Sequence, residues 1–418
     1  MKHFKLRDLT SVQKWNFLTI SLVPIIFIVL GFILDTPKEI LKGLSKIILH
    51  PGMLLVDYIA VGGIGATFVN SAIIMLVCIL FVYLLKMDIT GPLIAGIFTA
   101  GGFAFIGKNI YNVWPIFMGG YIYTRYKKTE YKSVLLVMMF AAALSPTVTY
   151  VSFELGSIPL GILIGIVIGI LVPAMAAQML KFHDGYNLYN IGFTCGILGT
   201  LIAALFRGFG HPMLTQSVLS NEYNVFLKTF LLISFISCIL ILFISNGYSF
   251  KGYASLFSRS GRGLSNHTEL FGYKGTYTNM AFMGLISTIY VILVKGDFNG
   301  PVMAGVLTAV GFSAFGKHPK NSIPIMLGVF LGGTIMKYDV SSAGLVIAAL
   351  FGTTLAPIAG AYGTIPGIIA GFLHVAMVNN TGSLHGGLNL YNNGFSGGII
   401  AAILIPIYNS LMTKKIDD

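Results

Sequence analysis

Charge is scarce in this chain. Of 418 residues only 14 are Asp or Glu, and 10% are charged in total, against about 25% in a soluble domain. That composition excludes a water-facing surface for most of the molecule and a metal site built from clustered carboxylates. Cysteine is as sparse. Cys78, Cys195 and Cys238 each stand alone in an apolar run, without CxxC or Cys/His spacing, so all three read as small buried hydrophobes rather than metal ligands. HExxH and GxSxG are missing, which removes the usual marks of an intramembrane hydrolase or transferase. His183-Asp184 is half of a catalytic pair, but its repeat reads His385-Gly386. We expect no enzyme, no metal and no cofactor.

Apolar residues are abundant, at 56% of the chain. Runs such as 17–34 and 225–245 are long enough to cross a hydrocarbon core of roughly 30 Å, so lipid is the solvent for most of the protein. The formal charge is +12, but the basic residues lie between apolar runs. They mark topology, and no nucleic-acid partner is expected. Lys2, Lys5, Arg7 and Lys14 precede an apolar run that is too long for a signal peptide and has no A-x-A-like site after it. It reads as a retained first span.

The chain is written twice. "DITGPLIAGIFTAGGFAFIGKNIYNVWPIFMG" (Asp88–Gly119) matches "DFNGPVMAGVLTAVGFSAFGKHPKNSIPIMLG" (Asp297–Gly328) at an offset of 209, with 15 of 32 positions identical. "FHDGYNLYNIGF" from Phe182 returns as "LHGGLNLYNNGF" from Leu384, at an offset of 202. We divide the chain into repeats 1–210 and 211–418, each with seven apolar segments. The third and fourth segments of each repeat read either as a re-entrant pair or as two full spans. An odd count turns the second repeat upside down. With both termini in the cytoplasm, most of the 26 Lys and Arg fall inside, as the positive-inside rule requires. The basic loops 124–132 and 246–275 are then inside and 35–65 outside. The expected fold is all-α: a polytopic membrane protein of two inverted-topology repeats with broken or re-entrant helices.

Inverted repeats with interrupted helices are a transporter construction, with the site where the repeats meet. Three matched features are candidates for that site. Gly62, Gly63 and Gly65 precede Asn70, and Gly272 and Gly275 precede Asn279. The following helix is expected to start near Thr67 or Thr276, either offering free N–H groups to a solute or being plainly capped. Asp88 and Lys108 bracket one apolar segment, as Asp297 and Lys317 bracket its twin. They read as interfacial acids and snorkelling lysines or as site residues. Third, His183, Asn187 and Asn190 match His385, Asn389 and Asn392. Asn residues three apart share a helix face, and their amides either line a solute path or tie helices together. The second copy is the more polar, with His374 opposite Val167 and Asn393 opposite Ile191, while Glu154 faces Ala361. The solute is therefore expected nearer the second-half cluster, with His374 and His385 as candidate proton carriers.

The doubled "GPxxAG…GK" and "NLYNxGF" runs resemble a bacterial family of multi-span membrane proteins catalogued as a domain of unknown function. "ATFVNS" (66–71) and "GGLNLYNNGFSGGI" (386–399) are also similar to urea transporters, themselves inverted duplications, although the motifs stand further apart here. The combined expectation is a transporter or facilitator, or a channel of the same build, for a small polar solute. A proton or ion couples to it in the carrier case. It sits in a bacterial inner membrane, with a homo-oligomer open as an assembly.

Overall fold

The computed structural model describes residues 9–213, 217–263 and 266–412. Of the basic residues used to orient the chain, Lys2, Lys5, Arg7, Lys414 and Lys415 lie outside them. Helix makes up 77% of the described residues. The described residues hold no strand, only isolated bridges of Val56 to Val218 and Asn266 to Phe315.

Nine helices among the described residues are long and apolar enough to cross a membrane, so this is a multi-span membrane protein. The order of elements repeats. Ser11–Leu34, Ile64–Leu84, Gly91–Phe103, Ile110–Lys127, Leu135–Glu154, Ile158–His183 and Asn190–Gly208 are followed by Asn224–Ser245, Gly272–Leu293, Gly300–Phe312, Pro319–Ile335, Ala343–Tyr362, Thr364–Leu384 and Asn392–Leu411. Small features repeat too. Lys86 and Lys128 end helices in the left-handed region at φ 56°, and Lys295 and Lys337 do so at φ 57°. Each copy breaks its fifth segment with a 3₁₀ turn, Ala142–Leu144 or Thr353–Leu355, shortly before Pro146 or Pro357, because proline withdraws an N–H and crowds the preceding turn. The first half then widens into a π-helical stretch, Tyr150–Glu154. Glu154 belongs to this local insertion, which is why no acid stands opposite it.

Two short helices, Gly91–Phe103 and Gly300–Phe312, form the centre. At about 1.5 Å per residue their 13 residues fall short of a membrane crossing, and every residue except Pro92 is buried. They cross through small residues. A Cβ on Gly102 would lie 3.0 Å from the Ala304 carbonyl oxygen, and one on Gly311 would lie 3.3 Å from that of Ala95. Both contacts obey the 209 offset, so each half offers the other the same surface, as in an isologous dimer.

Two sequence readings need correction. The segment 35–65 is not merely a loop. Thr36 and Glu39 form a capping box that starts a helix, Pro37–Leu49, with Ile40, Gly43 and Ile47 buried on one side; the T-x-x-E spacing was its signal. Cys78 and Cys195 are buried, but Cys238 is exposed on Asn224–Ser245, a helix that buries only Leu227 and Leu231.

Candidate functional site at the seam

The doubled H-x-G-x-N-L-Y-N phrase is a turn, not one helical face. Asp184 and Gly185 have φ 48° and 76°, and Gly386 and Gly387 have 57° and 79°. Left-handed backbone of this kind favours glycine and stops the preceding helix. Asn187 and Asn389 therefore sit in the turns, while Asn190 and Asn392 open the next helices.

Their hydrogen bonds repeat across the two halves. His183 Nε2 lies 3.1 Å from Asn190 Oδ1, and His385 Nε2 lies 3.0 Å from Asn392 Oδ1. The amides of Asn190 and Asn392 reach back to the carbonyls of Ala176 and Val378, both at 3.0 Å. The remaining pair crosses the seam. Asn187 Nδ2 donates to the Gly394 carbonyl at 2.9 Å, and Asn389 Nδ2 donates to that of Gly192 at 3.2 Å. Backbone follows the same exchange: Leu188 N–H donates to Thr354, and Leu390 N–H to Ala143.

The other expected site residues are also bonded into the protein. Asn70 donates to the carbonyls of Ala104 and Lys108, and Asn279 to those of Ser313 and Lys317, all at 2.7–2.8 Å. Each thereby holds the turn that ends a short helix. The helix before Asn70 starts at Ile64, not Thr67. Its Gly65 N–H goes to Asp35 Oδ2 at 2.8 Å, a carboxylate filling the role a solute would have had. Its twin starts at Gly272, not Thr276. Asp88 is exposed, and Asp297 is half-buried and accepts from Asn224 at 2.8 Å. They flank the short helices at the ends opposite the lysines. His374 is held on both ring nitrogens, by Asn393 Oδ1 at 2.9 Å and Ser396 Oγ at 3.1 Å.

Between the two turns lies an aromatic hub. Tyr189 and Tyr391 stand 5.3 Å apart by ring centroids, Tyr189 packs on Phe312 at 4.5 Å and Tyr391 on Phe103 at 4.4 Å. A cavity of about 210 Å³ opens beside the first-half turn, with Asn187, Tyr189, Phe312 and Tyr391 among its lining residues. It adjoins the first-half copy, whereas the sequence pointed to the second-half polar cluster. In the second half His374, His385, Asn392 and Asn393 pair with neighbouring groups.

Of the two readings given for Lys108 and Lys317, snorkelling or site residues, the structure removes the first. Lys108 and Lys317 do not snorkel; both are wholly buried. Lys317 Nζ donates to Tyr189 Oη at 2.6 Å and Thr353 Oγ1 at 2.7 Å. Lys108 Nζ donates to the Met139 carbonyl at 3.0 Å. Asp57, which the sequence reading did not single out, is wholly buried and accepts N–H bonds from Ile59, Ser220 and Gly300. Asn266, its partner by the 209 offset, accepts the N–H of Gly91 at 2.9 Å. Applying the offset to every polar residue finds this pair from sequence.

No curated protein and no solved structure matches this chain. A family does match, over residues 36–208 and 245–410, two stretches that each carry one short buried helix, one lysine turn and one NLYN turn. The chain belongs to the family described as "Protein of unknown function (DUF1576)".

Proposed function

We propose that this protein carries a small polar solute across a bacterial inner membrane, as a secondary transporter or facilitator, along the seam between two inverted repeats with both termini in the cytoplasm. The observation that carries the reading is the cavity at that seam. It is bounded by residues of both halves, Tyr189 from one and Phe312 and Tyr391 from the other, and lies next to short buried helices of the kind transporters place at their sites. Non-helical backbone at depth is tolerated where protein buries it or a cavity receives it. The turns 104–109 and 184–189 meet that condition, since most of their residues are buried. At about 210 Å³ the cavity is smaller than the roughly 300–1,000 Å³ of drug-sized sites, which limits the solute to a few heavy atoms. A two-fold relation of the halves is supported by the reciprocal contacts, and its inverted sense by the odd number of elements, seven, in each half.

Reconstitution tests this. Vesicles containing the purified chain should pass small solutes such as formamide, glycerol or formate faster than protein-free vesicles. Asn389→Ala, which removes one amide tie across the seam, should cut that flux at least about tenfold, a loss of about 1.4 kcal/mol or more, with the protein still made and inserted. Wild-type vesicles no more permeable than empty ones to any of these solutes contradict the reading.

A further inference from the structure

We infer that the solute is a small monovalent anion and that Lys317 receives it. This rests on the transport reading above and adds the class of substrate. Lys317 and Lys108 are each 0% exposed. Among the described residues the ion pairs are Lys132 with Glu130 and Arg262 with Asp184; neither buried lysine has a carboxylate. Lys317 is surrounded by neutral groups: the hydroxyls of Tyr189 and Thr353, the Tyr189 ring at 4.6 Å from Nζ and the Phe312 ring at 5.3 Å. Taking an ammonium out of water costs several kcal/mol after relaxation, and ionisable groups inside membrane proteins mark solute paths by default. Cation–π contacts return about 2 kcal/mol or more when desolvated, but they supply no net negative charge. A mobile counter-charge balances what the fixed residues do not.

The two lysines are not equivalent, and the difference selects one. At the matching 3₁₀ turns the first half reads Ala142-Ala143-Leu144 and the second Thr353-Thr354-Leu355. With no hydroxyl at position 142, Lys108 turns to the Met139 carbonyl, whereas its counterpart Lys317 bonds a tyrosine and a threonine hydroxyl. In the second half Thr353 donates to the Leu350 carbonyl and so presents a lone pair to Lys317. Thr354 bonds Asn187 Oδ1, tying the cluster to the first-half turn. Two of the three Lys317 ammonium hydrogens have acceptors, and the third has none among the described residues. Tyr189 and Phe312, the rings over which Nζ sits, also line the cavity. The side chains that line the cavity are therefore the ones that cover the ammonium. An anion in the cavity reaches Lys317 by displacing the Tyr189 side chain, and takes over as acceptor.

The test is thermal unfolding of the purified full chain in a gluconate buffer, titrated with formate and acetate, with formamide and acetamide as uncharged controls of the same shape. Formate or acetate should raise the midpoint saturably in wild type, Lys317→Arg and Lys108→Gln, and leave Lys317→Gln unmoved. Lys317→Met substitutes if the glutamine variant does not fold. A wild-type midpoint no higher in formate and acetate than in gluconate overturns the inference, as does an equal rise without Lys317. The vesicle assay separates the two readings. Amide flux with no carboxylate response leaves transport standing and removes the anion, whereas the absence of both flux and response removes both.

Discussion

Gly169→Val should leave little folded protein. A Cβ at Gly169 would lie 2.1 Å from the Ile116 carbonyl oxygen and 2.9 Å from Gly119 Cα. Gly119 faces the Ile166 carbonyl at the same 2.1 Å, so the helices Ile110–Lys127 and Ile158–His183 touch backbone to backbone. Gly161, Gly165 and Gly169 recur every fourth residue, the small-residue spacing that lets membrane helices approach closely. The obstacle is main chain, which cannot swing aside, so the cost lies at or above the upper end of the roughly 1–3 kcal/mol typical of overpacking. That is a large share of the about 5–15 kcal/mol that holds a domain together. The second half repeats the crossing, with Gly328 and Gly371 each 2.1 Å from an opposing carbonyl, and Gly371→Val should fail in the same way. Gly344→Ala is the control. Nothing lies within 4 Å of a Cβ there, and alanine favours helix by about 1 kcal/mol over glycine. Size-exclusion profiles and melting midpoints of the three variants decide it; a well-folded Gly169→Val contradicts the crossing.

Asp57→Ala is expected to be the other severe change. Its carboxylate accepts from Ile59 at 2.8 Å, Gly300 at 3.1 Å and Ser220 at 3.2 Å. Gly300 opens the second short helix, so one side chain of the first half anchors the centre of the other. Removing the carboxylate strands N–H groups at about 1–3 kcal/mol each. Asp57→Asn should lose much less, because Asn266 already does the equivalent work for Gly91 with an amide oxygen. The pair also separates by pH. Burial pushes the Asp57 carboxyl up to about 6 from its ordinary 3.8, against the pull of its three N–H donors. A carboxyl raised in the folded state binds its proton more tightly there than in the unfolded chain. Its contribution to stability is present below about pH 4 and is lost as pH rises through about 6. The wild-type midpoint should fall across that window relative to Asp57→Asn, and parallel curves contradict the assignment.

Much of the fold was legible because duplication is a strong signal: 15 identities in 32 positions fixed the equivalence of Gly91–Phe103 and Gly300–Phe312. Span placement followed from run length: the runs 17–34 and 225–245 lie in the helices Ser11–Leu34 and Asn224–Ser245. What composition and spacing did not carry was depth and direction. "GK" after an apolar run looks the same whether the lysine snorkels to water or is sealed in, and only the packing of Tyr189, Phe312 and Thr353 around Lys317 decides between them. The Asn pairs were placed on a helix face because three-residue spacing is ambiguous, while the glycines before them, which impose the turn, had already signalled otherwise. The cavity depends on how side chains of both halves pack around the first-half turn, and that is a property of tertiary packing, invisible in a list of polar residues.

Everything functional here depends on the two halves lying upside down to one another in the bilayer. Lys128 and Lys337 are exposed, occupy equivalent helix ends and share a left-handed φ of 56° and 57°. With Cys238, the exposed native thiol, replaced, a cysteine at Lys128 should react with a membrane-impermeant maleimide only from the cytoplasmic side. A cysteine at Lys337 should react only from the opposite side. Labelling of both from the same side contradicts the inversion, and with it the shared seam as a path across the membrane.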